Sequence, residues 1–195
     1  MQTPFEELTG PGRTVFIVSI GAFSAAELVQ AFRNRRGATR RDVRAEASLR
    51  LMLFGGIMMF PLGRAVAPGA LIGGGVFLYA LGVVIGWAGA LLRWWSFVTL
   101  GRYFTVVIST SPDQPVIDRG PYRVLRHPSY TGLLLIFAGV GVMVGNWLSA
   151  AGAVILVLIA LVHRIRVEER ALGAALGDRY SEFAASRARL IPHVW

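Results

Sequence analysis

A polar segment at residues 120–132 separates two strongly apolar stretches and is rich in arginine, tyrosine, histidine and turn residues. His127 precedes a proline, and such a residue is pushed out of the helical region, so His127 is expected to have extended backbone. Pro128 suits the first position of a helix. A helix that begins there directs its free N–H groups and its positive dipole end back at the polar segment. The segment is therefore predicted to hold a carboxylate or another anion.

A second polar cluster, at residues 163–169, follows the apolar run at residues 131–162, which is interrupted near Asn146. A helical hairpin with its turn at Asn146 would bring both clusters to the same membrane face. Arg164 and Glu168 are four residues apart and share one helical face. They could form no more than a helix-stabilising ion pair. We predict instead that the two clusters build one site.

The motif G-x-Y-x-x-x-R-H-P-x-Y-x-G at residues 120–132, followed by E-E-x-x-L at residues 168–172, resembles the isoprenylcysteine carboxyl methyltransferases and the related phospholipid methyltransferases. The segments L-G-R-Y-F at residues 100–104 and G-x-x-Y at residues 177–180 also resemble this family. The resemblance extends from about residue 100 to residue 192. The two halves of the motif are far apart in the chain, which makes the combination specific.

The resemblance implies an integral membrane enzyme that uses S-adenosylmethionine, releases S-adenosylhomocysteine and needs no metal. The catalytic candidates are Arg164, which would hold the carboxylate of the acceptor, and Glu168, which would hold the cofactor. The other implied cofactor contacts are Gln114, Val116, Ile117, Tyr122, His127, Pro128, Ser129 and Tyr130. The family usually has a histidine where Gln114 stands.

The expected reaction is carboxyl O-methylation of an isoprenylcysteine-like or other lipophilic acid that enters from the bilayer. The alternatives are phospholipid N-methylation, thiol S-methylation and a sterol-type reductase that uses NADPH. A non-catalytic membrane scaffold or a transporter is the alternative from another class. A transporter would show internal repeats or charges at the bilayer midplane, and neither is visible.

Composition places the surrounding elements in a membrane. The chain has 195 residues, of which 54% are hydrophobic and only 16% charged, against about 25% in soluble domains. Its formal net charge of +9 comes entirely from arginine. In a membrane protein such an excess is typical of cytoplasmic loops and of contacts with anionic headgroups, so we expect membrane lipids as partners. We expect no nucleic acid and no obligate protein partner. The absence of cysteine excludes a disulfide framework.

Apolar runs near bilayer length predict five transmembrane helices in one all-α domain, residues 1–195, the last two forming a short hairpin. The runs lie at residues 14–32, 49–66 and 70–92, and in the two halves of 131–162. Residues 1–95 would form the N-terminal helices. Residues 96–195 would form the cofactor-binding region, with a cytoplasmic loop and a C-terminal amphipathic helix.

Loop charges give the orientation. The densest arginine cluster, at residues 33–44, is predicted to be cytoplasmic by the positive-inside rule. Five crossings then put the N-terminus outside and the site on the cytoplasmic side, in a bacterial inner (plasma) membrane. Arg93 and the two tryptophans after it are predicted to mark the interface. Glu27, inside the first span, is expected to reach the interface or to pair with a nearby arginine, a functional role being the alternative.

Overall fold

The computed structural model describes residues 10–33, 43–101, 116–192 and 194–195. Within these ranges the chain is helical, with two isolated β-bridges. The helices are α1 (Pro11–Arg33), α2 (Val43–Val66), α3 (Gly75–Leu100), a 3₁₀ helix (Gly120–Arg123), α4 (Pro128–Val144), α5 (Trp147–Leu176) and α6 (Asp178–Ala185). Gln114 and most of the arginine cluster, residues 34–42, lie outside the described residues.

Four of these helices, α1, α2, α3 and α5, are long and apolar enough to cross a membrane. The fifth apolar helix, α4, has 17 residues and is shorter than the usual crossing length of about 20. The all-α, polytopic architecture is thus confirmed, whereas the count of five spans stays a prediction. Helices α4 and α5 form the predicted hairpin, but α5, with 30 residues, is not short.

Glycines let α3 and α4 approach closely. A Cβ atom added to Gly89 would lie 2.6 Å from the carbonyl oxygen of Gly132, and one added to Gly82 would lie 2.8 Å from that of Gly139. Only glycine fits at such backbone contacts, as in other closely packed membrane helices. This packing fixes the start of α4 against the middle of α3.

The far end of the hairpin is closed by Asn146. Its side chain accepts a hydrogen bond from the Ser149 amide at 3.0 Å and donates one to the carbonyl oxygen of Ala67 at 2.8 Å. The backbone of residues 70–72 pairs with that of residues 145–147. The turn predicted at Asn146 is confirmed, and the α2–α3 loop packs on it.

Three predicted boundaries were wrong. The third span begins at Gly75 rather than Ala70, because residues 70–72 pair with the hairpin turn. It continues past Arg93 to Leu100 instead of ending at residue 92. The predicted C-terminal amphipathic helix is not one separate element. Instead α5 runs unbroken to Leu176, and Gly177, at φ +55°, separates it from the short helix α6.

Candidate functional site

The site is built at the start of α4. His127 precedes the helix with φ −125° and ψ 56°, which is outside the helical region but not the predicted extended backbone. Its carbonyl oxygen accepts hydrogen bonds from the amides of Tyr130 and Thr131. Pro128 occupies the first turn, as its sequence context predicts. The side chains of His127 and Ser129 are buried. The R-H-P-x-Y motif therefore lies at the open end of the hairpin, opposite to the turn at Asn146.

Tyr130 joins the two polar clusters. Its hydroxyl donates to Oε2 of Glu168 at 2.7 Å and accepts a longer, 3.4 Å hydrogen bond from Nε of Arg164. Arg164 is buried, with only 2% of its surface exposed. The i, i+4 pair on α5 thus meets the first turn of α4, as the hairpin topology predicts.

Glu169 ties the segment before α4 to α5 and to the C-terminal tail. It accepts from Nη1 of Arg126 through Oε1 and from Nε of Arg189 through Oε2, each at 2.9 Å. Nε2 of His127 lies 3.4 Å from Oε1, outside good hydrogen-bond geometry. Charge-assisted bonds to two guanidinium groups make Glu169 an anchor of the site.

The C-terminal tail packs along the same segment. The amides of Arg126 and His127 donate to the carbonyl oxygens of Ala188 and Arg189, at 2.8 and 3.1 Å. The Thr131 hydroxyl donates to the carbonyl oxygen of Leu190 at 2.7 Å. These contacts fix the backbone of the histidine motif from outside the hairpin.

Arg93 supports the site from α3. It pairs with Glu27 of α1 through two hydrogen bonds, and Nη1 donates to the carbonyl oxygen of Ser129 at 2.8 Å. The guanidinium group also lies over the ring of Phe97, 4.8 Å from its centroid. The expectation that Glu27 pairs with an arginine is confirmed. The Arg93 side chain is buried within the protein, so it does not reach solvent as a residue at an interface commonly does.

Two buried polar atoms near this cluster, Nε2 of His127 and the hydroxyl of Tyr180, have no hydrogen-bond partner within the described residues. Burial raises the pKa of Tyr180, with the nearby Glu169 and Glu168 adding to the effect, so the phenol stays protonated and able to donate. Such orphaned groups are rare in native proteins and commonly mark a place for a ligand or a water.

Tyr122 lies on the other side of the cluster, in the 3₁₀ helix. It is buried, and this burial, together with the charge of Glu168, raises the pKa of its phenol. The hydroxyl therefore remains a neutral hydrogen-bond donor. Val116 and Ile117, which the resemblance also implicated, are half-buried in the segment before this helix.

The structure thus brings together most of the predicted site residues that it describes, namely Tyr122, His127, Pro128, Ser129, Tyr130, Arg164 and Glu168. Four residues of the network were not predicted, and two of them, Arg126 and Glu169, stand inside the recognised motif. Arg93 and Arg189 carry no local signal. Their partners are Glu27, 66 positions away, and Glu169, 20 positions away.

Comparisons with known proteins agree with this architecture. The model of the isoprenylcysteine carboxyl methyltransferase family matches residues 80–174. Protein-S-isoprenylcysteine O-methyltransferase A of Arabidopsis thaliana is 34% identical over 115 residues, which are 58% of this chain and 58% of that protein. The chain therefore matches little more than half the length of this relative.

Two further similarities are informative. The solved structure of the eukaryotic intramembrane Ras methyltransferase superposes with a TM-score of 0.67 at 19% identity, covering 97% of this chain and 70% of that one. At this identity the likeness concerns the fold. Methanethiol S-methyltransferase of Mycobacterium tuberculosis is 39% identical over 72 residues, 36% of this chain and 28% of that protein.

Proposed function

We propose that this chain, whose residues 80–174 match the model of the isoprenylcysteine carboxyl methyltransferase family, is a member of that family and methylates a lipophilic carboxylate with S-adenosylmethionine as the methyl donor. The observation that carries the proposal is the convergence of Arg164 and Glu168 on the Tyr130 hydroxyl. The Arg164 guanidinium suits an anionic acceptor, and the Glu168 carboxylate suits a cofactor with a cationic group or hydroxyl groups.

The residues present fit the proposed cofactor. Glu168 offers a carboxylate for ribose hydroxyls or for an ammonium group, and the orphaned Nε2 of His127 and hydroxyl of Tyr180 supply further polar contacts nearby. Backbone N–H at the start of α4 suits a carboxylate. When bound, S-adenosylmethionine supplies a methyl group activated by its sulfonium.

Arg164 would hold the acceptor carboxylate. A guanidinium stays charged at any physiological pH and can grip a carboxylate with two parallel hydrogen bonds. The Tyr130 contact uses Nε and fixes the orientation of the side chain. A fixed cation would align the acceptor oxygen, and the burial of this position would keep water away from the reacting groups.

The remaining assignments follow from this role. We infer that residues 96–195 bind the cofactor and that residues 1–95 supply the surrounding membrane helices. The site would face the cytoplasm of a bacterial inner (plasma) membrane. A lipophilic acceptor would reach Arg164 laterally from the bilayer. Val116, Ile117 and Gln114 would line the cofactor pocket from the loop between α3 and α4.

Thiol S-methylation is the second candidate, favoured by the 39% identity to the methanethiol enzyme. A thiol acceptor carries no carboxylate, so it would give Arg164 no substrate to hold. Phospholipid N-methylation has an amine as its acceptor, but the phosphate of the same lipid could still bind a guanidinium. The role of Arg164 therefore distinguishes the carboxylate from the thiol, and the choice of acceptor in the assay distinguishes the amine lipid.

The test has two parts. Calorimetric titration of S-adenosylhomocysteine into the detergent-solubilised protein should show binding, and Glu168→Ala should weaken it. Transfer of a labelled methyl group should then be fastest to an S-prenylated cysteine carboxylate, compared with an alkyl thiol and phosphatidylethanolamine. Absence of cofactor binding by the wild type would overturn the proposal. Binding with preferred transfer to the thiol or the amine lipid would leave a methyltransferase of another acceptor class.

A further inference from the structure

A cavity of about 650 Å³ lies between the last turns of α5 and helix α6. Arg166 and Arg170 line it from α5, and Tyr180 and Ser181 line it from α6. Because an α-helix turns by about 100° per residue, Arg166 and Arg170 lie about 200° around α5 from Arg164 and Glu168, respectively. The cavity therefore opens on the face of α5 opposite to Arg164 and Glu168, and it shares Glu169 and Tyr180 with the polar network of the candidate site.

The charges that line this cavity are predominantly positive. Glu169 also contributes to its wall, but its carboxylate is already bound by Arg126 and Arg189 at 2.9 Å each. In the described part of the chain, no carboxylate lies within ion-pair distance of Arg166 or Arg170, and Nε of Arg170 donates a hydrogen bond to the carbonyl oxygen of Arg166 at 3.0 Å. Both side chains are exposed. The cavity thus presents two guanidinium groups without a protein counter-ion.

The position of the arginines along α5 indicates which anion fits. The apolar run of α5 ends at Val162. At about 1.5 Å per residue, Arg166 lies about 6 Å and Arg170 about 12 Å beyond that point. The headgroup layer on each side of a bilayer is about 5–8 Å thick. Arg166 is therefore at headgroup depth, and Arg170 can reach back to it along its flexible stem.

We propose that this cavity binds the headgroup phosphate of an anionic phospholipid, held by Arg166 and Arg170. A guanidinium matches the oxygens of a phosphate with paired hydrogen bonds. The Ser181 hydroxyl, on the opposite wall, donates a long hydrogen bond to the carbonyl oxygen of Gly177 at 3.3 Å and would have to rotate to donate to a phosphate oxygen instead. The occupant of the cavity would link α5 to α6 and hold the C-terminal region at the membrane surface.

The test measures binding of phosphatidylglycerol to the full-length protein in detergent by native mass spectrometry, with phosphatidylcholine of equal chain length as the comparison lipid. The variant Arg166→Gln/Arg170→Gln should bind phosphatidylglycerol at least about tenfold more weakly, because two charge-assisted contacts are lost. Ala184→Leu keeps both charges but narrows the cavity, and it should also weaken binding. The matched control is Arg119→Gln/Arg123→Gln, which removes two exposed arginines near the same end of the hairpin and should change affinity less than about twofold.

Equal losses in the cavity variant and in the control would overturn the proposal, because they would indicate non-specific attraction to surface charge. Equal binding of the two lipids would also overturn it. Inorganic phosphate that displaced the lipid at similar concentration would assign the cavity to a free anion rather than to a headgroup. If the double variant failed to fold, the Ala184→Leu result would decide, and unchanged lipid binding there would refute the site.

Discussion

Arg93 of α3 and Glu27 of α1 face each other through two hydrogen bonds, of which the one from Nη2 to Oε2 measures 2.7 Å. The third nitrogen of the same guanidinium donates to the carbonyl oxygen of Ser129. One side chain therefore connects α1, α3 and the first turn of α4. Since Ser129 lies between Pro128 and Tyr130 in the histidine motif, the Arg93–Glu27 pair supports the candidate site although neither of its residues belongs to the recognised motif.

Replacing Glu27 by glutamine should destabilise the protein. The substitution removes the countercharge of a buried arginine, and we expect a loss of about 1–3 kcal/mol in unfolding free energy. The lower part of that range is favoured because the Glu27 side chain is 39% exposed. Chemical unfolding in detergent measures the effect. Glu182→Gln removes an exposed carboxylate of α6 and is the matched control, with an expected change below about 0.5 kcal/mol. Equal effects of the two substitutions would contradict the support role.

The sequence predicted the core of the site because local rules determine it. Helical periodicity placed Arg164 and Glu168 on one face, and the proline after His127 fixed the start of α4. The interruption at Asn146 then folded both segments to one end of the hairpin. Each step needs only neighbouring residues or the constraint of crossing a membrane.

These local rules do not predict the contacts that Arg93 and the C-terminal tail make with the site. Arg93 stands before two tryptophans, which is typical of an interface, yet the close packing of α3 on α4 at Gly89 and Gly132 buries it. Similarly, residues 187–191 show no pattern that indicates pairing with the histidine motif. These contacts depend on how separate helices and irregular segments pack in three dimensions, and the types of the residues involved do not specify this.

Adding a methyl group at Gly89 should weaken the α3–α4 contact. The new Cβ of Gly89→Ala would lie 2.6 Å from the carbonyl oxygen of Gly132, so the helices must move apart. Overpacking of this kind costs about 1–3 kcal/mol, and we expect a lower midpoint of thermal unfolding. Gly21→Ala is the control, because its Cβ would meet nothing within 4 Å among the described residues. A midpoint no lower than that of the control would refute the close contact.

Removing the hydroxyl of Tyr130 should disconnect Arg164 from Glu168. Tyr130→Phe loses a hydrogen bond to a charged carboxylate, which is worth about 1.5–3 kcal/mol, and both partners lose their fixed orientation. We expect cofactor affinity and turnover to fall by about tenfold or more. Tyr79→Phe removes a hydroxyl that donates to the carbonyl oxygen of Gly12 and should leave both unchanged. Binding and turnover equal to wild type in Tyr130→Phe would contradict the role of the bridge.

The adjacent glutamates should respond differently to the same substitution. Glu169→Gln weakens two charge-assisted bonds, to Arg126 and Arg189, and should lower unfolding free energy by about 2–3 kcal/mol. Glu168→Gln keeps an acceptor for Tyr130, so stability should change by less than about 1 kcal/mol while cofactor affinity falls. Calorimetry and unfolding on both variants measure the contrast. A larger stability loss in Glu168→Gln would reverse the two assignments.

Substitutions of Arg164 test the acceptor. If this guanidinium holds a substrate carboxylate, Arg164→Ala should reduce turnover by about a hundredfold, because the two-bond contact is lost. Arg164→Lys should restore only part of the activity, since an ammonium group cannot reproduce the planar two-bond grip. S-adenosylhomocysteine affinity should stay within about threefold of wild type in the lysine variant, which also shows that this buried position still folds. Turnover that survives Arg164→Ala would favour a thiol or amine acceptor. Parallel, small losses of turnover and cofactor affinity in Arg164→Ala and Glu168→Ala would instead reduce the pair to a helix-stabilising contact.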